Sequence, residues 1–328
     1  MEGFKELKEK TLELSRRISS AEQGEDSFLA IKLKKELYQT KLLMIELIER
    51  EENRAGITAR ELIEKVRHMK HVPQYAIGIK PIDVELNDWK GRSKNESGGI
   101  ESGTFINLAG ESGAGKTTLT LDILSNVAEY SKCVFFNHEM GERRISSRLQ
   151  KRLTREAQLD NLVIDSYTAN LNEMAMEIAL YAKDGIKFFV IDSRMKIQAD
   201  GDSDVQKNAN ISARLAKLCQ EKDIIIILIN QMSESDIKDG RLALKGSGDQ
   251  KYDSDMLWFY VVDKKNPTMR KLICTKNRTG EERLWSVDLT LDANGKTIGA
   301  NDGIPSCVVE YKTPISNVEE ITYSMPIL

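Results

Sequence analysis

Cysteine and histidine are scarce in this chain, with four and three among 328 residues. The cysteines, Cys133, Cys219, Cys274 and Cys307, are scattered, and none forms a C-x-x-C pair. That argues against a zinc site and against disulfides, and for reduced core thiols. Long apolar runs are missing as well: none approaches the ~20 residues that cross a bilayer, so no membrane partner is expected. The first residues, Met1-Glu2-Gly3-Phe4-Lys5, lack the apolar stretch of a secretory signal, and a cytoplasmic location is expected. Positive charge is not in excess. The net charge is -3, so nothing draws the whole chain to nucleic acid, and any DNA or RNA contact must come from a local basic surface. A hydrophobic fraction of 40% and a charged fraction of 30% are those of a soluble globular protein, and the length suits one large domain or two modest ones.

What the sequence does have is a glycine-rich loop. Gly110-Glu111-Ser112-Gly113-Ala114-Gly115-Lys116-Thr117 follows an apolar run at 105–109 and leads into Thr118-Leu119-Thr120-Leu121-Asp122-Ile123-Leu124. The order is strand, loop, helix with the spacing G-x-x-x-x-G-K-T. Glycines let the backbone curl so that several N–H groups point at one anion, and the helix adds the positive end of its dipole. Lys116 would neutralise the β/γ-phosphates and the Thr117 hydroxyl would sit on Mg²⁺. The expected ligands are therefore a nucleoside triphosphate, taken as ATP although the loop does not select the base, and Mg²⁺, held by residues 110–118.

Around this loop the chain falls into two parts, with a boundary near Val72. Residues 1–54 read as two charged helices, over 4–18 and 27–52, each with an apolar stripe. Two helices bury little on their own, so this arm is expected to pack on another subunit or partner; the alternative is a simple helical hairpin lying on its own core. Thr58-Ala59-Arg60-Glu61 has the spacing of a capping box. It starts a short helix that ends near Lys70, and Pro73 stops it. Residues 1–72 thus form a helical arm with a linker helix, and residues 73–328 a second domain.

In that second domain strands and helices alternate. Apolar runs at 104–109, 133–137, 161–164, 187–191 and 224–230 are separated by helical patterns at 116–130, 142–157, 171–183 and 205–221. Short β-branched runs between amphipathic helices make an α/β fold with a parallel sheet. After Met256 the runs at 256–262, 271–274, 285–289 and 307–311 come at hairpin spacing with no helix between them. They predict an antiparallel edge.

Several strand ends carry polar groups that could complete an ATPase site. Phe188-Phe189-Val190-Ile191-Asp192 ends in an acid placed to hold Mg²⁺ beside the loop. Glu139 follows the run 133–137 and is either a general base for the attacking water or an acid favoured by a helix N-terminus. Gln231 follows the run 224–230 and either senses the γ-phosphate or caps the strand. Lys276 and Arg278 lie two residues apart past an apolar strand, so they point the same way. They are either a charged turn or a pair facing a nucleotide, their own or a neighbour's.

These blocks in this order resemble the motor domain of DnaB-type hexameric replicative helicases and the helicase half of phage primase-helicases, over residues 74–291. Gly78-Ile79-Lys80-Pro81-Ile82-Asp83 and Gly98-Gly99-Ile100-Glu101-Ser102-Gly103 resemble that domain's entry and its lead-in to the loop. His138-Glu139-Met140 resembles its strand end bearing the catalytic base, and Asn230-Gln231 its γ-phosphate sensor. Leu244-Lys245-Gly246-Ser247-Gly248 is similar to its single-strand-binding loop. Lys276-Asn277-Arg278 resembles its finger acting in trans. The resemblance implies a RecA-like P-loop core, a homo-oligomer, a hexamer by analogy, and single-stranded DNA at Lys245, Gly246 and Gly248. A primase or loader is the further partner class it implies. Two features depart from that pattern. About 70 helical residues stand where the family has a globular N-terminal domain, and Asp192 is followed by Ser193-Arg194 rather than an aromatic-containing sequence.

The expected function is thus an ATP-dependent, ring-forming helicase or translocase on single-stranded DNA in replication. The alternatives are a RadA- or RecA-like recombination ATPase and a nucleotide-dependent DNA-binding scaffold or loader that does not unwind. A KaiC-like regulatory ATPase without a nucleic-acid partner is a third.

Overall fold

A computed structural model describes residues 2–24, 26–52, 58–68, 74–86, 98–233, 242–245, 253–263, 265–279, 284–292 and 295–299. The chain separates into two compact units. One holds residues 1–71 and 176–184, the other residues 72–175 and 185–328.

In the first unit, α1 (Glu2–Gln23) and α2 (Ser27–Glu52) form a helical hairpin. Leu14, Ile18, Ala21, Ala30 and Leu33 are buried between them. The first helix runs beyond the expected end at Ile18 because Ala21 still packs on the partner helix. Asp26 then caps α2, its carboxylate accepting from the Leu29 N–H at 3.0 Å. The capping box of α3 (Ala59–His68) is present: Glu61 accepts from the Thr58 N–H at 2.7 Å, and its own N–H donates to the Thr58 hydroxyl at 3.3 Å.

The second unit is built on a nine-stranded sheet. Its strands in chain order are β3 (Phe105–Gly110), β4 (Cys133–Asn137), β5 (Leu162–Asp165), β6 (Phe188–Asp192), β7 (Ile225–Gln231), β8 (Met256–Val262), β9 (Met269–Asn277), β10 (Trp285–Leu291) and β11 (Thr297–Gly299). In space they run β11-β10-β9-β8-β3-β7-β6-β4-β5. The pairs from β8 to β5 are parallel, and those from β8 outward to β11 are antiparallel. This is the expected mostly parallel sheet with an antiparallel C-terminal edge. Strands β3, β4 and β6 are buried at every residue, as a parallel strand covered on both faces must be. A separate two-stranded ladder joins β1 (Gln74–Tyr75) to β2 (Ile100–Glu101). The strand expected at 307–311 lies outside the described residues. Among those described, no helix is long and apolar enough to cross a membrane.

The helices that follow in the chain are α4 (Lys80–Glu85), α5 (Lys116–Val127), α6 (Glu142–Gln150), α7 (Glu156–Asn161), α8 (Leu171–Lys183) and α9 (Asp204–Lys222). The single helix expected at 142–157 is two. The side-chain oxygen of Gln158 accepts from the Thr154 and Arg155 N–H groups at 2.8 and 3.0 Å, which starts a new helix. Just before that break, Arg152 turns inward to Asp122 on α5, Nε to carboxylate at 2.7 Å. The second Asp122 oxygen accepts from the Thr297 N–H at 2.7 Å. This pair ties the helix behind the glycine loop to the far edge of the sheet.

Burial raises the Asp122 pKa and Arg152 opposes the rise. Arg152→Met should therefore destabilise the fold by about 3–5 kcal/mol, because it strands a buried carboxylate. A carboxyl raised in the folded state favours the protonated form, so the loss should be larger at about pH 8 than at about pH 5. Urea unfolding at both pH values measures it, and a loss independent of pH would rule out a stranded Asp122.

Candidate nucleotide-binding site

Strand β3 ends at Gly110, where the chain has no room for a side chain: a Cβ would lie 2.6 Å from the Tyr260 carbonyl oxygen. The loop then needs left-handed backbone at Gly113 (φ 77°) and Gly115 (φ 96°), a conformation that glycine adopts without strain. A Cβ on Gly113 would meet nothing within 4 Å, so the loop opens onto free space there. Helix α5 begins directly after, with Gly115 as its N-cap. The Lys116 ammonium folds back onto the loop and donates to the carbonyls of Gly110 and Glu111, both at 2.9 Å. Burial lowers the Lys116 pKa, against the pull of Asp192, Glu139 and Glu111. A phosphate would give this cation a charged acceptor in place of two neutral ones.

Asp192, at the end of β6, is fully buried. One carboxylate oxygen accepts from the Thr117 hydroxyl at 2.5 Å, and the other has no partner. Burial pushes its pKa up to about 6; Glu139 adds to the rise, and Thr117, Lys116 and Arg148 oppose it. A buried carboxylate oxygen without a partner, beside a threonine hydroxyl and a phosphate-type loop, fits a hard divalent cation. Among the described residues no group of three His, Cys, Asp or Glu could hold a metal. The donor set that fits is therefore Thr117 and Asp192 completed by phosphate and water oxygens.

Strand β4 lies in register with β6, Asn137 opposite Asp192. That brings the turn bearing Glu139 to the same sheet edge. The Asn137 amide braces the turn, donating to the Met140 carbonyl at 2.7 Å and accepting from its N–H at 3.2 Å. Ser193 donates its hydroxyl to the Glu139 carboxylate at 2.8 Å. Glu139 itself is exposed at the mouth of the site. Gln231 is likewise at this edge, directly opposite Gly110. Its carbonyl accepts from the Lys245 N–H at 2.9 Å. Lys116, Thr117, Glu139, Asp192 and Gln231 are thus gathered at one edge, with the backbone of Lys245 joined to it. The Lys245 side chain is exposed, and Gly246 and Gly248 lie outside the described residues.

Arg278 is elsewhere. Strand β9 runs antiparallel to β8, so Arg270 stands opposite Val262 at the loop end and Asn277 opposite Met256 at the other end. Met256 pairs with Ile106 at the start of β3, whereas Tyr260 pairs with Gly110. At about 3.3 Å per residue, Arg278 leaves the sheet roughly 16 Å from Gly110, beyond the reach of an arginine side chain. It is exposed there, and its N–H donates to the Asp255 carbonyl at 2.9 Å. The Lys276 ammonium donates to the Ser254 carbonyl of the same chain.

Four polar residues touching this site are not singled out by sequence reasoning. Asn137 and Ser193 hold the Glu139 turn. Arg270 donates from Nε to the Ala114 carbonyl of the glycine loop at 3.0 Å. Arg194, buried next to Ser193, donates to the Lys245 carbonyl at 3.1 Å. The Ser193-Arg194 departure is a signal for two of them; nothing in the sequence spacing singles out the other two.

Residues 90–236 match the protein family described as AAA domain. Among curated proteins the chain is 22% identical over 240 residues to the DNA repair protein RadA of Streptococcus pneumoniae, covering 72% of this chain and 52% of that one. It is 27% identical over 163 residues to the DNA repair and recombination protein RadB of Methanobrevibacter smithii, covering 46% of this chain and 69% of that one. The chain spans about half the length of the RadA relative. Among solved structures, one of an ATPase domain matches with a TM-score of 0.60 and 17% identity, over 76% of this chain and 100% of that one. A DnaB-like replicative helicase structure matches with a TM-score of 0.58 and 16% identity, over 90% of this chain and 77% of that one. The likeness to these structures is one of fold, a RecA-like α/β core with a mostly parallel sheet.

Proposed function

We propose that a chain with this RecA-like motor fold is an ATP-driven, ring-forming translocase on single-stranded DNA that acts as a replicative-type helicase. The observation that carries the reading is the split between Arg278 and the glycine loop, which stand at opposite ends of the sheet. An arginine that cannot reach its own phosphates, yet is exposed in a finger-like sequence, suits the site of a neighbouring copy.

In this reading the backbone amides of the loop and Lys116 hold the β/γ-phosphates. Thr117 and Asp192 hold Mg²⁺, which when bound neutralises charge on the phosphoryl oxygens. Glu139 takes a proton from the attacking water, and the Ser193 hydroxyl keeps its carboxylate aimed. Gln231 meets the γ-phosphate, and because its carbonyl carries the Lys245 N–H, a shift there moves the turn that grips the DNA backbone. Arg278 of one copy, with Lys276 behind it, serves the site of the next. A primase or loader would engage the finished ring in the cytoplasm.

The RadA and RadB relatives favour a second reading, a recombination or repair ATPase with the same site. ATPase assays with and without single strands, alongside displacement of a forked duplex, separate the two. Stimulation with displacement is expected. Stimulation without displacement would transfer the chain to the second reading, and absence of any stimulation would remove both. Lys245→Ala should weaken single-strand binding and flatten its log–log salt dependence by about 0.7, the share of one phosphate contact. An unchanged slope would take Lys245 off the phosphate path.

A further inference from the structure

Asp192, Ser193 and Arg194 are consecutive, and each side chain is bonded to a different part of the site. Asp192 holds the Thr117 hydroxyl, Ser193 holds the Glu139 carboxylate, and Arg194 reaches away from both. One terminal nitrogen of Arg194 donates to the Lys245 carbonyl at 3.1 Å, and the other bonds the Asn208 side-chain oxygen on α9. Arg194 is 4% exposed, and its Nε is buried without a partner. Burial lowers its pKa, and only Asp204 opposes that.

Burying a cation is costly unless its donors are matched, and a hydrophobic residue of like volume would often stabilise such a position more. Here the bonded partners are neutral: one amide, one methionine sulfur at 3.3 Å and one main-chain carbonyl. Packing alone does not call for an arginine there. What the arginine does is span a gap, from the residue next to Ser193 to the turn next to Gln231. The Lys245 turn is consequently held from two sides. Its N–H is on the Gln231 carbonyl at 2.9 Å and its C=O is on Arg194, while the Met232 N–H donates to the Gly110 carbonyl at 3.3 Å.

We infer that Arg194 is a positioning residue that makes the Lys245 turn move with the occupancy of the nucleotide site. A change at Asp192 and Ser193 passes along the backbone to Arg194 and from its planar fork to the Lys245 carbonyl. Asn208 fixes the other arm of that fork to α9, so the guanidinium acts as a lever rather than a loose tether. The inference rests on the nucleotide site proposed above, but not on the identity of what Lys245 grips.

The test is amide exchange at Lys245, whose N–H sits in the bridge to Gln231, in the full chain with and without ATPγS and Mg²⁺. In the wild type ATPγS should change that exchange by about fivefold or more, the lower range of ordinary coupling between sites. Arg194→Ala should reduce the change to under about twofold while ATPγS affinity stays within about twofold. Arg194→Lys keeps the charge but cannot bond both partners from one plane, and should also fall short of the wild type. It supplies the answer if the alanine variant does not fold. A merely structural Arg194 would lower the melting temperature and leave the nucleotide-linked change intact. A folded variant with a wild-type response overturns the inference, as does a wild type that binds ATPγS with no change at Lys245. Binding of labelled oligo(dT), measured in parallel, keeps the two readings apart. A responsive Lys245 amide without any DNA binding would sink the translocase and leave Arg194's role standing. DNA-stimulated turnover with an unresponsive amide would do the reverse.

Discussion

Arg278→Ala should lower ATP turnover of the assembled protein by about 10³–10⁵-fold, the range for an arginine that stabilises the transferring phosphoryl group. Nucleotide binding should persist, because the glycine loop, Lys116 and Thr117 are untouched and stand at the other end of the sheet. The sharper experiment is complementation. Lys116→Ala removes the loop cation but keeps Arg278, and Arg278→Ala does the opposite. Each variant alone should be nearly inactive. Mixed into one ring, an intact loop from one copy faces an intact arginine from the other, and activity should reappear. An arginine acting in cis could never be rescued this way. Rings confirmed by mass that show no recovery, or near-normal turnover in Arg278→Ala alone, would end the shared-site reading and with it the main support for a ring.

The parts of this molecule that were legible in the sequence are those that a buried parallel sheet dictates. Such strands must be continuous apolar runs, and their polar residues can emerge only at the ends. This is why the loop at Gly110, the acid at Asp192 and the positions of Glu139 and Gln231 could be read directly, and why the structure gathers them at one edge. The end of the sheet at which Arg278 stands follows from the antiparallel run of β9 on β8, which the hairpin spacing after Met256 predicts. What no local pattern encodes is the register of β9 on β8, which sets how far Arg278 lies from Gly110. The break between α6 and α7 was hidden because it turns on one side chain, Gln158, capturing two amides. Ser193 and Arg194 were visible only as residues that do not fit a family pattern. Their partners lie 54 and 51 positions away in the chain, at Glu139 and Lys245. Long-range polar pairing of this kind leaves no periodic trace.

Glu139→Gln should cut turnover by about 10²–10⁴-fold, the contribution of a positioned general base, with ATP affinity retained or increased. The substitution is close to isosteric, and the amide oxygen can still accept the Ser193 hydroxyl, so the turn braced by Asn137 should hold its shape. What is lost is the ability to take a proton. The competing role for Glu139, an acid that merely favours a helix start, is weakened by the structure. Helix α6 is capped by Gly141, and the acid in its first turn is Glu142. If Glu139 nonetheless acted only on the helix dipole, its neutralisation would cost about 0.3–1 kcal/mol of stability and leave turnover alone. Single-turnover hydrolysis read beside thermal unfolding therefore separates the roles in one pair of measurements. A slow chemical step in an equally stable protein is the expected result. Normal chemistry in a slightly weakened protein would return Glu139 to the helix and leave the attacking water without a base among the residues gathered at this edge.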